Sequence, residues 1–234
     1  MPVDPATLVL AHRGASAHRP ENTIAAFVHA AELGADGVEL DVRPTADGAL
    51  AVLHDALLTD GRALAEVAAD DLPESVPLLA AALAACTDLL VNIEIKSDEP
   101  GAGVALVAAV ATAAGLWGGR VLVSSFDPET VDVAAGAGLP SAQLTFLLDR
   151  PVPELVAWIA GRGLVAWHPH HLTVDEAAVA SAHAAGLAVN TWTVDDPARV
   201  AELAGWGVDA VVTNDVPTAV AALGRDDRPP ILPS

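Results

Sequence analysis

The order of apolar segments along these 234 residues predicts an α/β protein in which eight parallel strands close into a barrel ringed by helices. Eight strand-like runs alternate with Ala/Leu/Val-rich runs of helical spacing. Several strands are almost continuously apolar, as parallel strands covered on both faces must be. Many helical runs begin after Pro, Asp, Asn or Thr and stop at Gly, the usual cap and stop signals. Eight β/α units in this length leave room for a (β/α)8 barrel of the TIM type with little elaboration, and an open doubly wound sheet is the alternative.

In order, strands are expected near TLVLA (7–11), GVELDV (37–42), DLLVNIEIK (88–96), RVLVSSF (120–126), SAQLTFLL (141–148), GLVAWH (163–168), LAVNTWTV (187–194) and DAVVTN (209–214). Helices are expected in NTIAAFVHAAELG, GVALVAAVATAAG, VPELVAWIAG, VDEAAVASAHAAG and DPARVAELAGWG. Residues 43–76 break the alternation with a strand-like GALAVLHD and a polar stretch, so they read as a short insertion after the second strand. The chain then returns through a helix at about 77–86. Residues 1–234 are expected to form one domain, and the Pro-rich tail GRDDRPPILPS to fray or lie along the surface.

Hydrophobic residues at 53% suffice for a sizeable core. The start MPVDPATLVLAH lacks a basic n-region, and no run reaches the ~20 apolar residues of a membrane helix. Cys86 stands alone in LLAAALAAC and reads as a small buried residue. A cytoplasmic protein without stable membrane insertion is expected. The net charge of −20 argues against nucleic acid or an anionic surface as partner, because both favour Lys/Arg excess. An acidic chain that handles phosphate must supply positive charge locally, through a metal, Arg13 and Lys96.

The chemistry-bearing residues fall at predicted strand ends, where barrels of this kind place their reactive groups. His12 and Arg13 close strand one, Glu39 and Asp41 strand two, Glu94 and Lys96 strand three, and Trp192 strand seven. Glu39 and Asp41, two apart on an extended segment, share a face and repel each other unless a cation or shared proton intervenes. With Glu94 they make an all-oxygen set suited to one hard divalent ion, Mg²⁺ or Ca²⁺. The competing readings are solvated strand-end carboxylates and a Glu94–Lys96 ion pair. His12, followed by the small residues Gly14, Ala15 and Ser16, and His54, beside Asp55, are candidate proton carriers. His29, His171 and His183 read as surface residues, and His168 and His170 as structural or solvent-exposed. Trp192 is either one wall of a small polyol pocket or core, and Phe126 is placed to face the pocket mouth. Trp117, Trp158 and Trp206 are expected to pack the outer helices against the barrel.

These residues resemble the glycerophosphodiester phosphodiesterases over nearly the whole chain. The likeness rests on AHRGAS (11–16), PENT (20–23), VELDV (38–42), LHD (53–55), IEIK (93–96), SSF (124–126), NTWTV (190–194) and GVDAVVTNDVP (207–217) in order. It implies hydrolysis of a small glycerophosphodiester to glycerol 3-phosphate and an alcohol. Glu39, Asp41 and Glu94 look like ligands of one divalent metal, His12 and His54 like the general acid–base pair, and Arg13 and Lys96 like phosphate partners. Trp192 and Phe126 would wall the substrate pocket, and Glu21 of PENT would ligate the metal or orient Arg13. In the family the attacker is thought to be the neighbouring glycerol hydroxyl, giving a cyclic phosphate. The stretch after LHD is shorter than usual, implying a more open site, and the family's TDxP appears as Thr213-Asn214-Asp215-Val216-Pro217 with an extra Asn. Two other readings are a lysophospholipase D-like enzyme, which needs an apolar rim that the acidic composition disfavours, and a non-catalytic barrel that binds a phosphorylated ligand. An oligomer is compatible with all three.

Overall fold

The computed structural model describes residues 7–146 and 150–225, so the end of the predicted 141–148 strand and the tail from 226 lie outside the described residues. The strands are β1 (Leu8–His12), β2 (Gly37–Pro44), β3 (Leu50–Val52), β4 (Leu90–Ile95), β5 (Arg120–Ser125), β6 (Ser141–Thr145), β7 (Ala166–Pro169), β8 (Ala188–Thr191) and β9 (Ala210–Thr213). All except β3 pair in parallel between chain neighbours, and β1 pairs with both β2 and β9, which closes an eight-stranded barrel. The open-sheet alternative is thereby excluded.

The strand β3 belongs to the expected insertion. It runs antiparallel along the end of β2, from Val42 opposite Val52 to Pro44 opposite Leu50. This hairpin corrects one expectation. Glu39 and Asp41 do not close their strand, because β2 continues past Val42 to pair with β3. The rest of the insertion turns through two short 3₁₀ segments over a small cluster of Ala51, Leu58, Leu64 and Val67.

The outer layer is α1 (Ile24–Glu32), α2 (Leu79–Ala85), α3 (Val104–Trp117), α4 (Pro128–Gly136), α5 (Val152–Ala160), α6 (Glu176–Ala184), α7 (Pro197–Gly205) and α8 (Val216–Ala222). Thr23, Asp127, Asp175, Asp196 and Asp215 each accept a backbone N–H from the first turn of the helix they precede. Such caps contribute about 1 kcal/mol each and also fix the loops that leave the C-terminal ends of the strands. Among the described residues no helix is long and apolar enough to cross a membrane.

Most of the core lies between barrel and helices, where Phe27, Leu40, Ile93, Ile95, Ile159, Trp167 and Leu203 are essentially inaccessible. Trp117, Trp158 and Trp206 pack partly buried against this layer, as expected. Cys86 is buried within it, and burial pushes its thiol up to about 12. Inside the barrel two smaller clusters, Leu10/Ala210/Val212 and Leu122/Ala142/Ala166, are bridged by Leu90. On four of these strands the next lumen-facing residue, two positions on, is polar: His12, Asn92, Ser124 and His168, with Leu144 and Val212 the apolar exceptions. The lumen therefore changes from apolar to polar toward one end.

Candidate active site

The polar end of the lumen is built around three carboxylates. Asp41 lies opposite Glu94 in the β2–β4 register, and Glu39 sits two residues earlier on the same face. Glu39, Asp41 and Glu94 each offer an oxygen, all within 4.8 Å of one another. Burial, then repulsion from Asp41 and Glu94, pushes the Glu39 carboxyl well above the usual range, and Glu94 is raised by burial and by Asp41. Three buried carboxylates this close, all oxygen donors, fit a hard divalent cation of the Mg²⁺ or Ca²⁺ kind.

Cationic and amide groups hold this cluster from the side. Lys96 Nζ lies 2.8 Å from Glu94 Oε1 and 3.5 Å from Asp41 Oδ1. The ion-pair reading of Glu94 and Lys96 is thus correct as geometry, and it leaves the carboxylates converged. Burial works against the charge of Lys96, but Glu94 and Asp41 overcome it and hold the ammonium above its ordinary range. The Arg13 backbone N–H donates to Glu39 Oε2 at 3.1 Å, and its Nη1 donates to Glu21 Oε1 at 2.9 Å. Arg13 Nε faces Asp41 at 3.4 Å without a hydrogen bond. Asn22 of PENT donates to Asp41 Oδ2 at 2.9 Å. This approach depends on a tight turn after β1: Arg13 and Asn22 have φ of 56°, and Gly14 has φ 79°. A Cβ at Gly14 would lie 2.7 Å from the Ala26 backbone carbon, so only glycine lets the turn lie against α1.

The two histidines stand on opposite supports. His12 Nδ1 lies 2.7 Å from Asn214 Oδ1, and its Nε2 lies 4.0 Å from Glu39 Oε2. Burial lowers the pKa of His12, against the opposing pull of Asn214. His54 arrives on the loop after β3, its Nδ1 2.7 Å from Asp55 Oδ1, which is the partner the sequence suggests. Arg43 fixes that loop, donating to the His54 carbonyl at 2.7 Å while its two Nη atoms grip Asp98 at 2.5 and 3.0 Å. The insertion thus serves the site by delivering His54.

A cavity of about 130 Å³ joins these groups. His12, Arg13, Glu39, His54, Glu94 and Lys96 line it, with Phe126 and Trp192 on the far wall. Two expected site residues do not line it. Asp41 is 1% exposed, behind the cavity surface yet within the carboxylate cluster, and Glu21 lies outside, reaching the site through Arg13. His29 and His183 pair with Glu32 and Asp209 away from it.

The cavity also contains a polar residue that the sequence had not singled out. Asn92 is 2% exposed, and its Oδ1 has no hydrogen-bond partner. It lies two residues before Glu94 on one strand, a period-2 signal that could have found it. His168, read as structural or solvent-exposed, is buried against the cavity. Its Nε2 meets Asn190 Nδ2 at 2.8 Å, and burial pushes its pKa down to about 3. Trp192 is a cavity wall, fixed by its Nε1 donating to the His168 carbonyl at 2.8 Å. At the mouth Phe126, Phe146 and His170 surround Trp192 at ring separations of 5.5, 5.9 and 5.2 Å, and Phe126 and Phe146 remain exposed.

Comparison with known proteins agrees with this geometry. A profile described as the glycerophosphoryl diester phosphodiesterase family matches residues 12–218. The chain is 35% identical over 240 residues to a glycerophosphodiester phosphodiesterase of Caldanaerobacter subterraneus subsp. tengcongensis, spanning 92% of this chain and 96% of that one. Among solved structures, the glycerophosphodiester phosphodiesterase of Thermotoga maritima has a TM-score of 0.81 at 26% identity, covering 92% of this chain and 97% of that one. An Oleispira antarctica phosphodiesterase in complex with its product sn-glycerol-3-phosphate shares the fold, with a TM-score of 0.84 at 24% identity over 94% and 97% of the two chains. A buried acidic cluster flanked by two imidazoles, in a chain matched almost end to end, leads to one assignment: it is an enzyme of the glycerophosphoryl diester phosphodiesterase family.

Proposed function

We propose that this enzyme cleaves small glycerophosphodiesters to glycerol 3-phosphate and an alcohol, using one divalent ion held by Glu39, Asp41 and Glu94. The observation that carries the reading is the convergence of three carboxylates, two cations and two imidazoles around one cavity, the set of groups that a glycerol phosphate needs. The same fold in Oleispira antarctica holds sn-glycerol-3-phosphate, which supports a ligand of this kind. When bound, the ion supplies Lewis-acid stabilisation of charge on phosphoryl oxygens.

The chain's own residues do the rest. Arg13 and Lys96 face the same cavity and neutralise the nonbridging oxygens as negative charge accumulates there. His12, which burial keeps uncharged, takes a proton from the attacking hydroxyl through Nε2, and His54 gives one to the leaving alkoxide. Glu21 orients Arg13 from outside. Trp192 and Phe126 cover the carbon face of the glycerol, and the unpaired Asn92 Oδ1 receives one of its hydroxyls.

A second reading, with lysophospholipids as substrates, gains support from the exposed Phe126 and Phe146 at the mouth, an apolar rim that the acidic composition had argued against. One assay tests both. Protein treated with a chelator and then restored with Mg²⁺ or Ca²⁺ is offered glycerophosphocholine, glycerophosphoethanolamine and lysophosphatidylcholine, and released glycerol 3-phosphate and choline are measured. Metal-dependent release of glycerol 3-phosphate is expected, and turnover unaffected by the chelator would refute the metal-assisted mechanism.

A further inference from the structure

Asn214, the extra residue of the Thr213–Pro217 segment, connects His12 to Asp195, a residue for which the reaction scheme has no role. Its Oδ1 lies 2.7 Å from His12 Nδ1 and accepts from Ser16 Oγ at 2.9 Å. Its Nδ2 donates to Asp195 Oδ2 at 2.7 Å, and its backbone N–H donates to Asp195 Oδ1 at 2.8 Å. Thr213 Oγ1 adds a third bond to Asp195, at 3.0 Å. Helix capping does not account for this arrangement, since Asp215 caps α8 through the Thr218 N–H and hydroxyl.

The chemistry of the groups fixes which atom faces which. A carboxylate only accepts, so the amide nitrogen of Asn214 must be the atom facing Asp195. The amide oxygen then faces His12, and because an amide oxygen cannot donate, His12 Nδ1 must carry the hydrogen. A flipped amide would set its oxygen against Asp195 Oδ2 and lose that bond, whereas its NH₂ would still find acceptors in an unprotonated Nδ1 and in Ser16 Oγ, so it is Asp195 that fixes the amide and through it the tautomer. We propose that Asn214, clamped by Asp195, is a positioning residue that holds neutral His12 as the Nδ1–H tautomer and leaves Nε2 as its only basic nitrogen. The ring nitrogen so freed is the one 4.0 Å from Glu39, at the cavity. This inference rests on the reading of His12 as a proton carrier.

The test reads the tautomer directly, without turnover. Metal-free protein labelled with ¹⁵N-histidine is examined by long-range ¹H–¹⁵N spectroscopy at about pH 8.5, where ordinary imidazoles are neutral. The His12 signals are assigned by their loss in His12→Gln. Wild type is expected to show Nδ1–H alone, and Asn214→Ala a mixture or Nε2–H, with kcat lower by about 10- to 100-fold and KM within about threefold. Asp195→Asn, which frees the amide to rotate, is a second variant with the same expected direction should Asn214→Ala fold poorly. An Nε2–H signal in wild type, or unchanged Nδ1–H in both folded variants, overturns the proposal. An Nδ1–H His12 that shifts in the variants, in a protein inactive on every glycerophosphodiester, supports the clamp and defeats the catalytic reading, so the two fail separately.

Discussion

Replacing Glu39 with Gln should stabilise the metal-free protein while abolishing its response to metal. Glu39 is 5% exposed and has carboxylate oxygens of Asp41 and Glu94 within 4.8 Å. At that distance and an effective dielectric of about 20, each like-charge pair costs about 3.5 kcal/mol before Arg13 and Lys96 offset part of it. The cost has a ceiling, because Glu39 can take a proton instead. Protonating an ordinary carboxylate at pH 7 costs about 3.7 kcal/mol, so the strain from Glu39 cannot exceed that. The glutamine keeps an oxygen for the Arg13 N–H, so the expected gain is about 1–3 kcal/mol, and at this chain length 2 kcal/mol corresponds to a rise of about 4–8 °C in Tm. The sign with pH follows from the raised carboxyl. The native state holds a proton that the unfolded state has released, so wild type loses stability as pH rises above about 4.5 until Glu39 ionises, and the variant loses less. Thermal melts with chelator and with Mg²⁺ measure both effects. Wild type should gain about 2.7 kcal/mol at a Mg²⁺ concentration 100 times its Kd, and the variant little. A variant less stable than wild type in chelator would refute the reasoning, since Glu39 would then be a stabilising ion-pair partner of Arg13.

Other perturbations separate chemistry from structure. His12→Gln and His54→Gln should each lower kcat by about 10²- to 10⁴-fold with little change in Tm, and near-normal turnover in either would reassign that residue to a structural role. His168 is held neutral down to about pH 3, so between about pH 6.5 and that value the unfolded chain binds a proton the native state does not. Stability should fall by about 1.4 kcal/mol per pH unit as pH drops through that window, and His168→Gln should remove this slope from urea unfolding at pH 7 and 5. Parallel curves for the two proteins would show that His168 is not the group responsible. Phe146→Ala should raise KM for a lysophospholipid by about 10-fold or more, the equivalent of losing a buried aromatic contact, and leave glycerophosphocholine within about twofold. Equal effects on both substrates would remove the rim from any role in choosing between them.

What could be read without coordinates was whatever depends on local periodicity. The spacing of Glu39 from Asp41, and of Glu94 from Lys96, places each pair on one face of a strand wherever that strand lies, and apolar runs ending in such residues identify the reactive rim. Three-dimensional closure decided the rest. His12 and Asn214 are 202 positions apart and meet only because β1 pairs with β9. His168 reads as an ordinary strand-end residue until the barrel encloses it against Asn190, and Phe146 becomes part of a rim only when Trp192 and His170 come round from later strands. The segment GALAVLHD reads as strand-like, but that it folds back as β3 along the end of β2 and so extends β2 to Pro44 is a pairing that its own periodicity does not specify. A side chain's face is set by backbone geometry over two residues, whereas its neighbours across a barrel are set by the register of every strand pair between them.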